Sequence, residues 1–181
     1  DSNSDAGIYM DGDSDWNTFY DLYLHDDEDC IQVASSYNRF FNTRCEDALA
    51  GIEDSGGENN YTGGSATGMS QNVYMLAGDS RFLNMNLSDS SLTDVNVLGG
   101  HHLFLNCTFS TEYVEGWGTS SITRQWYVDA YVNFSNASHA PNVSVLMYNR
   151  SDQLDMNAST HANGWITGQN LTEDIRWPGK A

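Results

Sequence analysis

"WNTFYDLYL" at Trp16–Leu24 is followed, in steps of 21 residues, by four stretches of like phrasing. They are "YNRFFNTRC" at Tyr37–Cys45, "ENNYTGGSA" at Glu58–Ala66, "DSRFLNMNL" at Asp79–Leu87 and "GHHLFLNCT" at Gly100–Thr108. The fourth place of each holds a large apolar residue: Phe19, Phe40, Tyr61, Phe82 and Leu103. A second apolar strip runs through Ile8, Ile31, Ile52, Val73 and Val95, in steps of 23, 21, 21 and 22. Asn17 and Asn38 share a register, and Asn60 falls within one residue of it. Short alternating strands with Gly, Asn, Asp and Ser turns at this period predict a β-solenoid. Each coil would lay its strands on parallel sheets, one rung above the last at roughly 4.8 Å. The Phe strip would then form an interior ladder, and the asparagines turn ladders. Leucine-rich repeats share the period but need a Leu framework and helix-favouring runs, which are absent. A β-sandwich with coincidental spacing is the competing reading.

The composition suits such a chain. At 181 residues, with 22 aromatics (5 Trp, 10 Tyr, 7 Phe), a substantial core can be buried. The charge balance is −18, from 25 acids against 7 bases, which disfavours nucleic acid and anionic membrane surfaces as partners. Aspartate dominates the acids, as on a loop-rich or salt-tolerant surface. No apolar run approaches 18 residues, so no membrane span is expected in this segment, and no basic-then-apolar leader opens it. Cys30, Cys45 and Cys107 form no CxxC; one disulfide with a free thiol and three buried thiols are both open.

The rungs "GIYMDGDSDWNTF" and "HHLFLNCTF" resemble those of the right-handed parallel β-helix family that includes pectin-lyase-like enzymes and NosD-like surface proteins. The resemblance covers about residues 5–115 and implies about five rungs of 21–22 residues. A parallel β-helix is therefore expected over 1–115, and a Gly/Ser/Thr-rich linker over 116–125. Beyond it, "WYVDAYVNF" (Trp126–Phe134) and "VSVLMYN" (Val143–Asn149) alternate as strands. "APNVSVLMYN" followed by Thr160, Ala162, Gly164 and Trp165 resembles the carboxypeptidase-regulatory-like, Ig-like β-sandwich. That resemblance implies a sandwich over 126–181, short for seven strands, with a positive-φ glycine and Trp165 dropping into the core.

Asn-x-Ser/Thr occurs at Asn60, Asn86, Asn106, Asn133, Asn136, Asn142, Asn149, Asn157 and Asn170, six of the nine after residue 130. With 18 Asn and 32 Ser plus Thr, chance supplies about three. The motif is the acceptor for N-glycans in an extracytoplasmic compartment, so an extracellular glycoprotein is expected. Turn chemistry in an Asn/Ser-rich chain makes the same motif.

Asp11, Asp13 and Asp15 in "DGDSD" alternate as calcium ligands do, although Leu22 stands where an EF-hand carries its glutamate. A turn between rungs would use the same residues. "HDDEDC" (His25–Cys30) crowds four acids. Asp26, Asp27 and Asp29-Cys30-Ile31 resemble the Asp-Asp-Cys-Ile stretch of polygalacturonases, inverting hydrolases that work with paired carboxylates. The Gly-His-Gly turn and the Arg-x-Lys clamp of those enzymes are not matched. His101 and His102 could bind copper or zinc, but neighbours in a strand point to opposite faces. Catalysis and required cofactors are therefore not expected. The expected function is a self-associating, glycan-coated surface protein: a sheath, surface-layer or filament subunit. Two alternatives are a carbohydrate-binding adhesin using Trp16, Trp117 and Trp126 as sugar platforms, and a β-helix polysaccharide hydrolase or lyase.

Overall fold

The computed structural model describes residues 6–25, 28–116, 119–149 and 152–179. The chain is all-β, a parallel β-helix of about five turns. Its elements begin with β1 (Ile8–Met10), β2 (Thr18–Tyr20), β3 (Tyr23–His25), β4 (Asp29–Val33) and β5 (Arg39–Glu46). Then come β6 (Ala50–Asp54), β7 (Asn60–Thr67), β8 (Gln71–Met75), β9 (Arg81–Leu83), β10 (Thr93–Val97) and β11 (Gly100–Leu105). The last five are β12 (Glu112–Val114), β13 (Ser120–Tyr131), β14 (Ser144–Tyr148), β15 (Leu154–Ser159) and β16 (Trp165–Arg176). One sheet stacks β1-β4-β6-β8-β10-β12, all parallel. The other runs β16-β13-β11-β9-β7-β5-β2, with β3 also on β5.

The register turns the repeat into ladders. Ile8, Ile31, Ile52, Val73 and Val95 are successive partners, as the sequence strip requires. The aromatic ladder runs Phe19, Phe40, Tyr61, Phe82 and Phe104, with ring centroids 4.7–5.0 Å apart and planes within 11°. Its last rung is Phe104, because Leu103 pairs with Arg81 instead. One extra residue between Phe82 and Val95 lengthens that coil to 22 and shifts the register. A further step of 23, from Ile8 to Ile31, comes from two extra residues between Ile8 and Phe19, around the "DGDSD" turn.

Left-handed backbone recurs at fixed places in the coil. Asp21, Asn42, Gly63, Asn84 and Asn106 all have positive φ and lie one above another, bending the second sheet. At Gly64 (φ 95°) a Cβ would stand 1.9 Å from the Thr43 carbonyl oxygen of the rung below, so only glycine fits. The corner asparagine ladder runs through Asn17, Asn38 and Asn59, one residue before Asn60. The amide N–H of Asn17 donates to Asn38 Oδ1 at 2.8 Å, and that of Asn38 to Asn59 Oδ1 at 2.8 Å. Ser80 and His102 continue the column.

Two expectations for the C-terminal part are corrected. Ser120–Gln125, read as linker, is strand: it pairs in parallel with Gly100–Leu105 and makes a sixth rung. Its small residues serve packing, since Ser120 and Ser121 are buried. Trp165 lies on the surface, 41% exposed, its ring 5.0 Å from Tyr131, while Ile166 takes the buried place. The turn before it does use a positive-φ glycine, Gly164 at 80°. β16 returns antiparallel along β13 from Ile122 to Tyr131, and β14 and β15 form a hairpin. The amide of Thr172 in β16 donates to Asp155 of that hairpin at 2.8 Å. Cys30, Cys45 and Cys107 are buried and form no disulfide; burial raises the Cys107 thiol to about 11.

Candidate functional site

The outer face of the second sheet carries a groove of about 450 Å³ along four successive coils. Trp16 and Tyr37 stand at its N-terminal end, their rings stacked with centroids 4.5 Å apart and planes 6° off parallel. Arg39, Asn60 and Arg81 line its floor as direct register partners on β5, β7 and β9. Glu58 and Asp79 form the remaining edge. The backbone holds these positions rigidly: Asn60 N–H donates to the Asn38 carbonyl and Arg81 N–H to that of Asn59. Asp79 accepts the His101 amide at 2.8 Å. Neither Arg39 nor Arg81 makes an ion pair among the described residues. Of the sequence candidates, the groove contains Trp16 and the sequon asparagine Asn60. Its other members were readable in principle. Arg39, Asn60 and Arg81 are 21 apart, as are Trp16, Tyr37, Glu58 and Asp79, so reading each column of the repeat in turn would have assembled them.

The remaining sequons spread over the surface. Asn86, Asn106, Asn133, Asn136, Asn142, Asn157 and Asn170 are exposed; Asn60 and Asn149 are partly covered. Asn86 and Asn136 accept the hydroxyls of their own sequon serines, Ser88 at 2.9 Å and Ser138 at 2.7 Å. Asn106 sits in the left-handed column, and its Nδ2 donates to Asn84 Oδ1 at 2.8 Å. Ser151 of the Asn149 sequon lies outside the described residues, as do Trp117, Asp26 and Asp27.

The calcium candidates do not converge on one point. Asp11 accepts the Ser14 hydroxyl at 2.8 Å, and Asp15 accepts the Ser36 amide at 2.6 Å. Asp13 is exposed, and among the described residues no group of three or more His, Cys, Asp or Glu is placed to hold an ion. His102 is buried with both ring nitrogens used. Nδ1 accepts the Ser80 amide at 3.2 Å, so Nε2 carries the proton and donates to the Gly99 carbonyl at 2.7 Å. Burial lowers its pKa, keeping the ring neutral. His101 lies outside, near Ser121 and against the Trp177 ring. Trp126 lines a smaller hollow of about 250 Å³ beside Tyr148 and Leu171, its indole N–H on Glu173.

Two carboxylates inside the coil are bound in opposite senses. Asp54 replaces an apolar residue in a ladder between Val33 and Met75. It accepts from Ser80 at 2.8 Å, Asn59 at 3.0 Å, Tyr61 at 3.1 Å and the Gly56 amide at 3.0 Å, yet burial dominates and raises its pKa. Asp94 is also buried, but the amides of Ser110, Ser90 and Thr111 outweigh that and hold it at about 2. Asp29 on β4 is raised by burial and by the charges of Glu53 and Glu28.

The two ends of the stack differ. Ile8, Phe19, Leu22 and Leu24 are only partly covered members of the core at the N-terminal end, beside exposed Tyr9, Tyr20 and Tyr23. At the other end Phe109 packs edge-on against Phe104, and the Arg124 guanidinium lies 3.8 Å over the Phe109 ring. Arg124 is held by Glu112 and Glu173 at 3.7 and 3.8 Å. No protein-family model, no curated protein and no solved structure matches the chain.

Proposed function

We propose that the chain belongs to an extracellular, N-glycosylated structural protein of a cell surface, a sheath, surface-layer or filament subunit. In this reading its role is assembly, and the solenoid stacks end to end on a second copy. The observation that carries it is the contrast between the ends. The partly covered ladders and the free edge of β1 face outward at one end, and β12 is a free edge at the other. Both edges of this first sheet are parallel, so β12 of one copy can pair with β1 of the next, while the second sheet meets the neighbour through antiparallel β16. Such a contact is heterologous and propagates into a filament. The exposed sequons Asn86 and Asn106 on the coils, with the others in the C-terminal part, support the same reading, since bulky glycans there leave the N-terminal end uncoated.

Sedimentation velocity over a wide concentration range tests it. Chains of charge −18 repel one another, so linear oligomers are expected to grow with salt as that repulsion is screened. Tyr9→Lys with Tyr20→Lys is expected to return the protein to monomer. A monomer under every condition would sink the assembly, and an intact mass equal to that of the bare chain would sink the glycoprotein. The groove supports a second reading, saccharide binding.

A further inference from the structure

We propose that the groove bounded by Trp16, Tyr37, Arg39, Asn60 and Arg81 is a binding site for an anionic saccharide, one bearing carboxylate or sulfate groups. This goes beyond the structural role and does not depend on self-assembly. The chain has six arginines, and two of them stand on one strip with a single asparagine between them. Glu58 and Asp79 line the same groove, yet neither arginine has an ion-pair partner among the described residues. Rungs repeat at roughly 4.8 Å, so guanidinium groups two rungs apart are about 10 Å from each other at their backbones. That separation suits two acidic groups on one extended oligosaccharide. Each guanidinium offers a planar fork to a carboxylate or sulfate.

The rest of the lining selects against a bare anion. Glu58 and Asp79 are acceptors only, so they disfavour a bare inorganic anion that offers them no donor, but they take hydrogen bonds from the hydroxyls of a saccharide. The Trp16–Tyr37 pair closes the end with an apolar wall, against which the C–H face of a pyranose can lie. A dense polyphosphate is disfavoured by the charge of −18. A ligand combining sparse negative charge, many hydroxyls and apolar ring faces satisfies all three elements at once.

The same chemistry has two sources. Asn60 is itself a sequon, so a glycan attached there would enter the groove from its floor; otherwise a free polysaccharide would fill it. Thr62→Ala separates them, because it removes the sequon and leaves Asn60 in place. Isothermal titration would use native protein and Thr62→Ala protein, with a homotrimer of galacturonic acid and a sulfated disaccharide as probes. The methyl ester of the trimer and inorganic sulfate serve as controls. The Thr62→Ala protein is expected to bind at least one anionic probe. Binding should weaken at least tenfold in Arg39→Gln/Arg81→Gln added to that background, with an unchanged thermal midpoint, and should vanish for the methyl ester. If native protein binds equally, the natural occupant is a free saccharide; if it does not bind, the occupant is the chain's own glycan. The proposal is overturned if neither probe binds the Thr62→Ala protein, or if the double arginine variant binds as well. It is equally overturned if the ester binds as tightly, or if sulfate binds as tightly as the oligosaccharides.

Discussion

β13 lies in two environments within twelve residues, and the change along it separates two kinds of β-structure. Its first part, Ser120–Ile122, is buried as the sixth rung on β11; its last part, from Tyr127 to Tyr131, alternates between half-buried and exposed. Backbone pairing reaches both parts: β11 partners Ser120–Gln125, and β16 runs alongside from Ile122 to Tyr131. What differs is stacking. In the solenoid each side chain meets its counterpart from the next coil, so Ile31, Ile52, Val73, Phe40, Tyr61 and Phe82 are all fully buried. Beyond β13 no coil lies above, and Ala140, Met156 and Ile166 are the buried apolar residues of the whole C-terminal part among those described. Burial in this protein comes from repetition, and pairing alone leaves a strand half wet.

Removal of one ladder member is the strongest way to break that contrast. Phe82 stacks between Tyr61 and Phe104 at 4.7 Å on either side. Phe82→Ala deletes two ring contacts and leaves a cavity that neighbouring rungs cannot close without shifting both sheets. A loss of about 3–5 kcal/mol is expected in urea unfolding. A loss below about 1 kcal/mol would show that the ladders do not carry the stability assigned to them.

The second test concerns polar residues placed where the ladders are otherwise apolar. Asp94 satisfies three backbone amides from the shortened Ser110–Thr111 turn and from Ser90, together with the Ser110 hydroxyl. Asp94→Ala strands those donors and is expected to cost about 3 kcal/mol. Its pKa is held at about 2, below the ordinary 3.8, so its contribution is complete above the unfolded value. That contribution disappears as pH falls from about 4 towards about 2.

Asp54 has the opposite sign. Its pKa is raised by burial, so the folded state holds the proton more tightly than the unfolded chain does. Its contribution is fully present below the ordinary carboxylate pKa and is lost as pH rises through the raised value. Unfolding measured from pH 3 upward should therefore show stability declining above pH 3.8, the ordinary value, in a component that Asp54→Asn removes. If the Asn variant keeps the same slope, another group is responsible. Both effects arise inside the coil, where acids are buried.

The repeat also decides how much could be read beforehand. The Ile8 strip was legible at every position, because an apolar residue recurs without interruption. The Phe strip was legible as far as Phe82 and then named Leu103 in place of Phe104. The Phe strip itself hides the extra residue after Phe82, because Leu103 and Phe104 are both apolar; only the step of 22 from Val73 to Val95 registers it. Asn59 was missed for Asn60 for a similar reason: adjacent asparagines hide which one turns inward. Ser120 and Ser121 look like linker by composition, and only a neighbouring rung makes small polar residues useful in a core. The groove was not legible as a site, since its members are ordinary surface residues until the coil aligns columns 21 apart. The C-terminal part offered no column to compare; single-strand alternation placed strands there, and it was the sandwich resemblance that misplaced Trp165.

Trp165 supplies the smallest effect and the clearest contrast with Phe82. Both are large aromatics in strands, and a reading by residue type would give them equal weight. Trp165 is 41% exposed, its ring lies against Tyr131 at a tilt of 36°, and no ladder continues from it. Truncation leaves an open surface that water fills, so no cavity term arises. Trp165→Ala is expected to cost about 1 kcal/mol or less, from the ring contact and partial burial alone. Hydrogen exchange would locate whatever loss occurs. Faster exchange confined to β16 and the end of β13 fits a C-terminal part that opens separately from the coil. Faster exchange in β5, β7 and β9 as well would mean that β16 transmits its packing into the solenoid, and the division drawn along β13 would have to move.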